Sequence, residues 1–361
     1  MTAIGYGNSL RETMYRAGVI LEAERATPLS AFVGSGDGNA LVLEERPGNK
    51  RGDTVKIRFA KANDTAPITS TATILGQEES TTYYEDSVNI RYFGYTGSVD
   101  NIPASQNNVS FNLKDGERSR IALQWAYNRE KSIINQLVGN TLLNSDADYG
   151  RSGGNIVTAQ DTNHLYWAPD SSGANTTDAL VAADDTAILT TRVIDDLVTR
   201  AVSSDYVEWP IAPAETPLGP LYVFVVHPTG YQQIRTNSAA SDCYDLQRAL
   251  LEAGLEPDDS PLFNGEGFIY NNTLVLRSDF CPQGITSAAA QANSRVGAFF
   301  GARAGHVVYG EGFTDGNHLG WAEHVQLRRW SCLSDTIWGV KRTIVNDVSW
   351  GAFRVAHYSA V

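Results

Sequence analysis

Two alternating strand segments, joined by a connection far longer than a turn, constrain this chain more than any other feature. In the first segment, Thr54 to Phe59, Val55, Ile57 and Phe59 fall on one face and Thr54, Lys56 and Arg58 on the other. That is the period of two of a half-buried strand. The return segment sets Val88, Ile90 and Tyr92 against Ser87, Asn89 and Arg91. Residues 60–86 lie between them, well past the ~12–15 residues at which an irregular connection within a compact domain becomes uncommon. The pattern predicts a hairpin that reaches something outside its own domain. A solitary amphipathic helix follows, predicted over 115–139. Asp115 is its expected cap, Glu117 lies in its first turn and Gly139 terminates it. Ile121, Trp125, Ile133 and Leu137 form one stripe, flanked by Ala122, Ala126, Ile134 and Val138, so a single face is buried. At 1.5 Å per residue it spans roughly 37 Å.

With 361 residues the chain exceeds the ~250–300 at which single cores stop growing, and two packed regions or one elongated region are expected. Its net charge of -13 argues against gripping nucleic acid, because affinity for phosphate backbones comes from Lys and Arg displacing counterions. The acid is unevenly placed. Residues 1–60 balance to +1, whereas residues 144–187 hold seven Asp against one Arg, a composition expected of a solvated, loosely ordered connection. Asp146, Asp148 and Gly150 suggest a calcium loop, but neither register supplies both the Gly at the sixth position and the Glu at the twelfth. Cys243, Cys281 and Cys332 are odd in number and widely spaced, so neither a disulfide framework nor a zinc site is indicated. No secretory signal pattern and no run of ~18 apolar residues is found, and no membrane partner is expected.

Ser9 and Glu12 form a capping box before Leu10, Met14, Ala17 and Leu21, which predicts a helix to about Arg25. The glycine-rich GSGDGNA from Gly34 lacks dinucleotide-binding spacing and is expected to be a bend. Further helices are predicted over 190–203, 229–236 and 242–254. Strands are predicted over 221–227, 267–270, 273–277, 296–300, 305–309, 324–330, 335–342 and 353–357. Chemistry is hard to find. His318 and His324, near Glu311 and Glu323, come closest to a metal cluster, yet their spacing does not put both on one helical face and no HExxH exists. His227 ends a buried strand, where a hydrogen-bonded structural role is expected. No nucleophile elbow, P-loop or CxxC occurs. Asp184–Asp185 is placed at a helix start and Asp195–Asp196 on a solvated helix face, so neither pair reads as an acid–base couple. The seven tryptophans are scattered, which favours core and interface anchoring over a sugar or base platform. No catalytic, cofactor-binding or metal residue is assigned, and an enzyme is not expected.

The order of segments carries more than any single motif. RGDTVKIRF, an acidic GQEE, YEDSVNIRYF, a long helix ending QLVGNTL, TTRVIDDL, VFVVHPTGYQQIR, SPLFNGEGFIYNNTLVLRSDF, AFFGARAGHVVYG, GWAEHVQL, WGVKRTIVND and SWGAFRVA follow in register from about Leu10 to Ala356. This series resembles the major capsid proteins of N-four-type tailed bacteriophages. The resemblance implies an α+β, Hong Kong 97-like capsid fold, with an N-terminal arm (1–45), an extended loop (46–100), a peripheral domain with the spine helix (101–189), an axial domain (190–320) and return strands of the peripheral domain (321–361). It implies a virion shell subunit, assembled in the host cytoplasm into homo-hexamers and homo-pentamers around double-stranded DNA that it encloses without reading. A portal, a decoration protein and a separate scaffolding protein are the further partners it implies. The expected intersubunit contacts are Val55, Ile57, Phe59, Tyr83, Tyr84, Val88, Ile90 and Tyr92, and the expected spine-helix core is Ile121, Trp125, Ile133 and Leu137. Two other readings remain open at this point: an encapsulin-like nanocompartment shell, which shares the fold, and a β-rich carbohydrate-binding or hydrolytic protein.

Overall fold

The computed structural model describes residues 27–36, 38–45, 54–60, 83–100, 112–169, 175–216, 219–236, 267–286, 289–310, 320–326 and 329–359. The helices expected up to Arg25 and over 242–254, together with Cys243 and His318, lie outside them. The elements run β1 (Val33–Gly34), β2 (Leu41–Glu45), β3 (Thr54–Ala60), β4 (Tyr83–Asn89), β5 (Arg91–Val99), α1 (Leu113–Val138), α2 (Tyr149–Ser152), β6 (Leu165–Trp167), α3 (Asp178–Ala183) and α4 (Thr191–Val202). There follow β7 (Ala214–Thr216), β8 (Gly219–Val226), α5 (Pro228–Thr236), β9 (Gly267–Tyr270), β10 (Thr273–Arg277), β11 (Gln283–Thr286), β12 (Ala289–Phe300) and β13 (Gly305–Tyr309). The chain ends with β14 (Gly320–Gln326), β15 (Arg329–Arg342), the short β16 (Ile344–Val345) and β17 (Val348–Ser349), and β18 (Ala352–Tyr358). It divides into two compact units. One holds residues 93–126 and 313–336, with 1–24. The other holds 25–92, 127–312 and 337–361.

The larger unit is built on a sheet ordered β6-β18-β12-β8-β10-β9, with β11 beside β12 and β7 beside β8. β12 runs antiparallel to both its neighbours, and its register sets Phe299 opposite Phe224 on one side and Phe353 on the other. This aromatic row faces the apolar stripe of α4, where Val193, Ile194, Leu197 and Ala201 are buried in the same core. Each such side chain contributes roughly 1.5–3 kcal/mol on burial, and that repays the ordering of a sheet whose contacts lie far apart in sequence. β8 and β10 are parallel, which accounts for the nearly continuous apolar run of β8. In the same unit β2 lies between β1 and β13, parallel to both, and β13 pairs antiparallel with the end of β15.

In the smaller unit β14 and the start of β15 form an antiparallel hairpin, with Trp321 opposite Ser334 and Gln326 opposite Arg329. The single strand expected over 324–330 is therefore two strands. Here the first half of α1 buries Ile121 and Trp125. The Trp125 indole N–H donates to Ser334 Oγ at 3.0 Å, and its ring meets Tyr95 edge-on at 4.5 Å between centroids.

Helix α1 begins two residues earlier than expected, because its cap is Asn112 and not Asp115. Asn112 Oδ1 accepts the Lys114 N–H at 3.1 Å, and its amide donates to Asp115 at 2.6 Å, which leaves Asp115 in the first turn to pair with Arg118. At the other end Gly139 adopts φ +73°. The Asn140 N–H reaches Asn135 O at 3.0 Å and the Gly139 N–H reaches Gln136 O at 3.3 Å, the paired bonds of a Schellman stop.

The acidic stretch is not a solvated connection. It carries α2, β6 and α3, and two of its aspartates organise the larger unit. Asp161 caps a short turn, accepting from the Asn163 and His164 N–H groups and, through its other oxygen, from the Ser349 N–H at 2.9 Å. Asp178, 3% exposed, forms a two-pronged ion pair with Arg354 of β18 and accepts the Trp167 indole N–H at 3.0 Å. Asp184 lies past the end of α3, not at a helix start, and takes the Thr186 N–H and hydroxyl in a local turn. Asp195 and Asp196 are not simply solvated either. Asp195 receives Tyr270 and Asn271, and Asp196 receives the Tyr166 hydroxyl.

Replacing Asp178 with Asn leaves the Arg354 guanidinium buried without a counter-charge. Stripping one partner from a buried pair costs about 3–5 kcal/mol, so denaturant unfolding of D178N is expected to shift its midpoint by that amount. A loss under 1 kcal/mol would show that the pair does not hold α3 to β18.

Candidate functional site

The hairpin is the candidate site, and its geometry follows from how its base is fixed. β3 and β4 pair in antiparallel register from Thr54↔Asn89 to Ala60↔Tyr83, so the strands extend further than the sequence pattern indicates and the connection is residues 61–82. Alternation sends Val55 and Ile57 inward, where they pack with Val88, Ile90, Val308 and Ile337. Further along, the Phe59 ring lies 5.7 Å from Trp350, Trp350 lies 5.4 Å from Trp209, and Trp209 meets Tyr84 edge-on at 6.4 Å. The apolar face of the described hairpin is thus occupied by its own unit.

Two polar clamps set the hairpin's base. Asn155 Oδ1 accepts the Asn89 N–H at 2.8 Å, and Asn155 Nδ2 donates to Asn89 O at 2.9 Å. This reproduces the paired bonds of a sheet rung where β4 breaks before β5. The same amide nitrogen lies 3.1 Å from Val340 O. Asp86, buried one turn of the pleat away, pairs with Lys341 and accepts the Ile344 N–H at 3.1 Å, while Lys341 also donates to Ser87 O at 2.9 Å.

The opposite face is polar and open. Glu85 is bracketed by Lys56 at 2.9 Å and Arg58 at 3.0 Å, and hydrogen bonding from Lys56 first, then its charge and that of Arg58, holds the Glu85 carboxyl below its usual range. Tyr83 and Tyr92 are 67% and 59% exposed. Of the eight residues expected to touch a neighbour, Val88 and Ile90 are buried, and Val55, Ile57, Phe59 and Tyr84 are partly buried against their own unit. The pleat parity was legible in the sequence. Which face a partner would meet was not, because the covering residues Trp209, Val308, Ile337 and Trp350 lie 120 or more positions downstream.

The spine-helix residues Ile121, Trp125, Ile133 and Leu137 are all buried. In the smaller unit, Arg118, Ser119 and Ala122 of α1 line a groove of about 490 Å³ with Trp321 and Glu323 of β14. Arg118 pairs with Glu323, and this bond leads the causes that hold the Glu323 carboxyl below its usual range. In the larger unit α1 carries an acid that sequence reasoning missed, Glu130, 2% exposed. Its Oε2 accepts the Leu29 N–H at 3.2 Å. Burial raises its carboxyl to about 8, against the Leu29 N–H and the Ser278 hydroxyl, which favour the charged form.

Among the described residues no group of three or more His, Cys, Asp or Glu side chains could hold a metal ion, and no helix is long and apolar enough to cross a membrane. His227 Nδ1 lies 2.8 Å from the Thr229 hydroxyl. His324 stands exposed on β14. Cys281 is buried and its thiol pKa is pushed up by burial.

Comparison with solved structures places this architecture. The capsid of Ralstonia phage GP4 matches with a TM-score of 0.77 at 18% identity, covering 100% of this chain and 99% of that one. The Cyanophage Pam1 capsid matches at 0.72 and 15% identity, covering 100% of both chains. The head structure of Helicobacter pylori bacteriophage KHP40 matches at 0.65 and 12% identity, over 98% of this chain and 96% of that one. The fold is accordingly the Hong Kong 97-like capsid fold. A family model described as phage capsid protein matches residues 3–361, and the chain belongs to that family: it is a major capsid protein, a structural subunit of the virion shell. No curated protein matches it in sequence.

Two measurements check the site. Asn155→Ala leaves the Asn89 and Val340 backbone groups unpaired, each costing about 1–3 kcal/mol, so the unfolding midpoint is expected to fall accordingly. A midpoint equal to wild type would show that the rung is dispensable. For Glu130 the folded pKa, about 8, lies above the unfolded value near 4.5. Between those values the native state holds a proton that the unfolded state has released, so stability falls as pH rises through that window. Thermal unfolding from pH 5 to 8 is expected to show this slope in wild type and a flatter profile in E130Q, and superimposable profiles would refute it.

Proposed function

We propose that this subunit closes the shell as hexamers and pentamers, with the polar face of the β3–β4 hairpin, its Tyr83, and Tyr92 of β5 meeting a neighbouring copy. In this reading, residues 1–45 act as the N-terminal arm, 46–100 as the extended loop, 101–189 with 321–361 as the peripheral domain and 190–320 as the axial domain. The observation that carries the proposal is the ribbon itself. Among the described residues β3 and β4 ladder only with each other, and because Asn155 and Lys341 take the backbone of Asn89 and Ser87 at the base of β4, the outer edge of β3 is the kind of edge that takes strands from another chain. Rings of five and six require heterologous contacts, in which one surface meets a different one on the next copy, and an outward ribbon with a fixed base supplies one half of such a contact.

The enclosed DNA needs no grip. A net charge of -13 disfavours adsorption of phosphate backbones, which suits a container that must be filled and emptied. The role is structural, not catalytic. A portal, a separate scaffolding protein and a decoration protein complete the proposed set of partners.

Electron microscopy of the purified full chain is expected to show closed hollow particles, and a uniformly monomeric sample would overturn the reading. Removing residues 61–82 is expected to leave a folded, soluble subunit without shells, whereas normal particles from that deletion would reject the hairpin's role. DNA inside particles taken from infected cells agrees with a virion, and protein cargo in its place would indicate a nanocompartment.

A further inference from the structure

Strand β14 forms the margin of its sheet. Among the described residues it ladders with β15 alone, so its other side is the kind of edge that takes a further strand. Over 320–326 it has no Lys or Pro to blunt that edge. Its register sets Trp321, Glu323 and Val325 opposite Ser334, Cys332 and Trp330, so they share the face on which those β15 residues are buried. Yet Trp321 stays 45% exposed and Val325 60%. A large ring and a branched side chain on one face of an unblunted edge mark a place where another surface sits.

One occupant fits this edge by symmetry. When a strand of 7 residues pairs end to end and antiparallel with its own copy, the two-fold axis passes its central residue, here Glu323. Trp321 then faces the partner's Val325, and Ala322 faces the partner's His324. Aromatic rings against β-branched side chains are favourable cross-strand pairs, and the axis makes each such pair twice. A two-fold contact uses the same patch on both copies, and the order of residues along β14 meets that requirement unaided. Charge permits the approach. At the axis Glu323 meets the partner's Glu323, but each is already paired with its own Arg118 and accepts its own Trp330 indole N–H at 3.2 Å. On the adjoining turns of α1, Lys114, Arg118 and Arg120 offset Asp115, Glu117 and Glu323, so this patch is neutral within a chain of net charge -13. Exposed charges more than about 10 Å away are largely screened at physiological salt.

We propose that β14 is a two-fold contact between copies of this chain, formed by antiparallel pairing of Gly320–Gln326 with the same strand of a second copy about Glu323. Its place in a shell, joining one ring to the next while the hairpin acts around a ring, rests on the shell reading. The pairing itself does not. Full-length A322C and H324C subunits, which keep Trp321, Glu323 and Val325, are mixed in equal parts under a mild oxidant. Opposed residues of an antiparallel ladder have Cβ atoms about 4.5–5.5 Å apart, which a small adjustment brings within reach of a disulfide. Peptide mass spectrometry of the covalent dimer is expected to find position 322 of one copy joined to position 324 of the other. Its yield is expected to be about tenfold above that of either variant oxidised alone, because positions related diagonally lie about 7–8 Å apart. Adding V325K to both variants sets a charge against Trp321 and is expected to raise the concentration needed for the dimer about tenfold. Val325 is exposed, so its circular dichroism is expected to match wild type, and if V325K fails to fold the disulfide map decides. Absence of the 322–324 link, or a folded V325K that dimerises at the original concentration, would overturn the pairing. A disulfide between H324C and K56C subunits in its place would overturn it too, by showing that the hairpin of another copy covers the edge. Particles without the link reject the pairing and leave the shell reading intact, whereas the link without particles from the wild-type chain rejects the shell reading and leaves the pairing intact.

Discussion

A single side-chain amide replaces the missing rung of a sheet, and the hairpin depends on it. At Asn89 the outgoing ribbon breaks before the strand continues as β5, and a broken strand exposes backbone groups that must be paired when buried. Asn155 supplies both the acceptor and the donor that a neighbouring peptide would have offered. The fit demands absence elsewhere. A Cβ at Gly339 would lie 2.1 Å from Asn89 O, and one at Gly153 would lie 1.9 Å from Val340 Cγ1. Gly153 also sits at φ +68°, where a side chain is strained. These glycines are required by contact with the amide's surroundings and not by turn chemistry alone.

Much of the larger unit is ordered by acids that the composition alone presents as solvent-facing. Asp86, Asp161 and Asp178 each collect backbone or side-chain donors from segments far away in sequence. Carboxylates in this setting act as connectors: each offers two oxygens to donors that have no partner of their own type nearby. Their attraction to Lys341 and Arg354 offsets desolvation only while the geometry is kept, so such groups hold segments in particular places more than they add net stability.

The helices and strands with clear periodicity were legible from residues alone. The stripe Ile121–Trp125–Ile133–Leu137 and the α4 pattern appear where 3.6-residue spacing puts them, and the strands around Phe224, Phe299 and Phe353 follow from apolar runs. The cap of α1 was misread because Asn112 and Asp115 are both good capping residues, and only the Lys114 N–H decides between them. The strand expected over 324–330 ran across the junction of β14 and β15 because the residues joining them carry no Gly or Pro. The acidic segment misled because net charge reports solvation of a stretch, whereas Asp178 is held by Arg354, 176 positions away. Tertiary pairing of that range leaves no mark in local pattern.

The two-faced ribbon also has a consequence in time. Much of the oily side of its described residues is covered by their own unit as the chain folds, which reduces what other newly made subunits can meet by accident. What remains outward is charge balanced locally between Glu85, Lys56 and Arg58, with the exposed ring of Tyr83. In the proposed shell, folding and assembly would thereby draw on opposite sides of the same pair of strands.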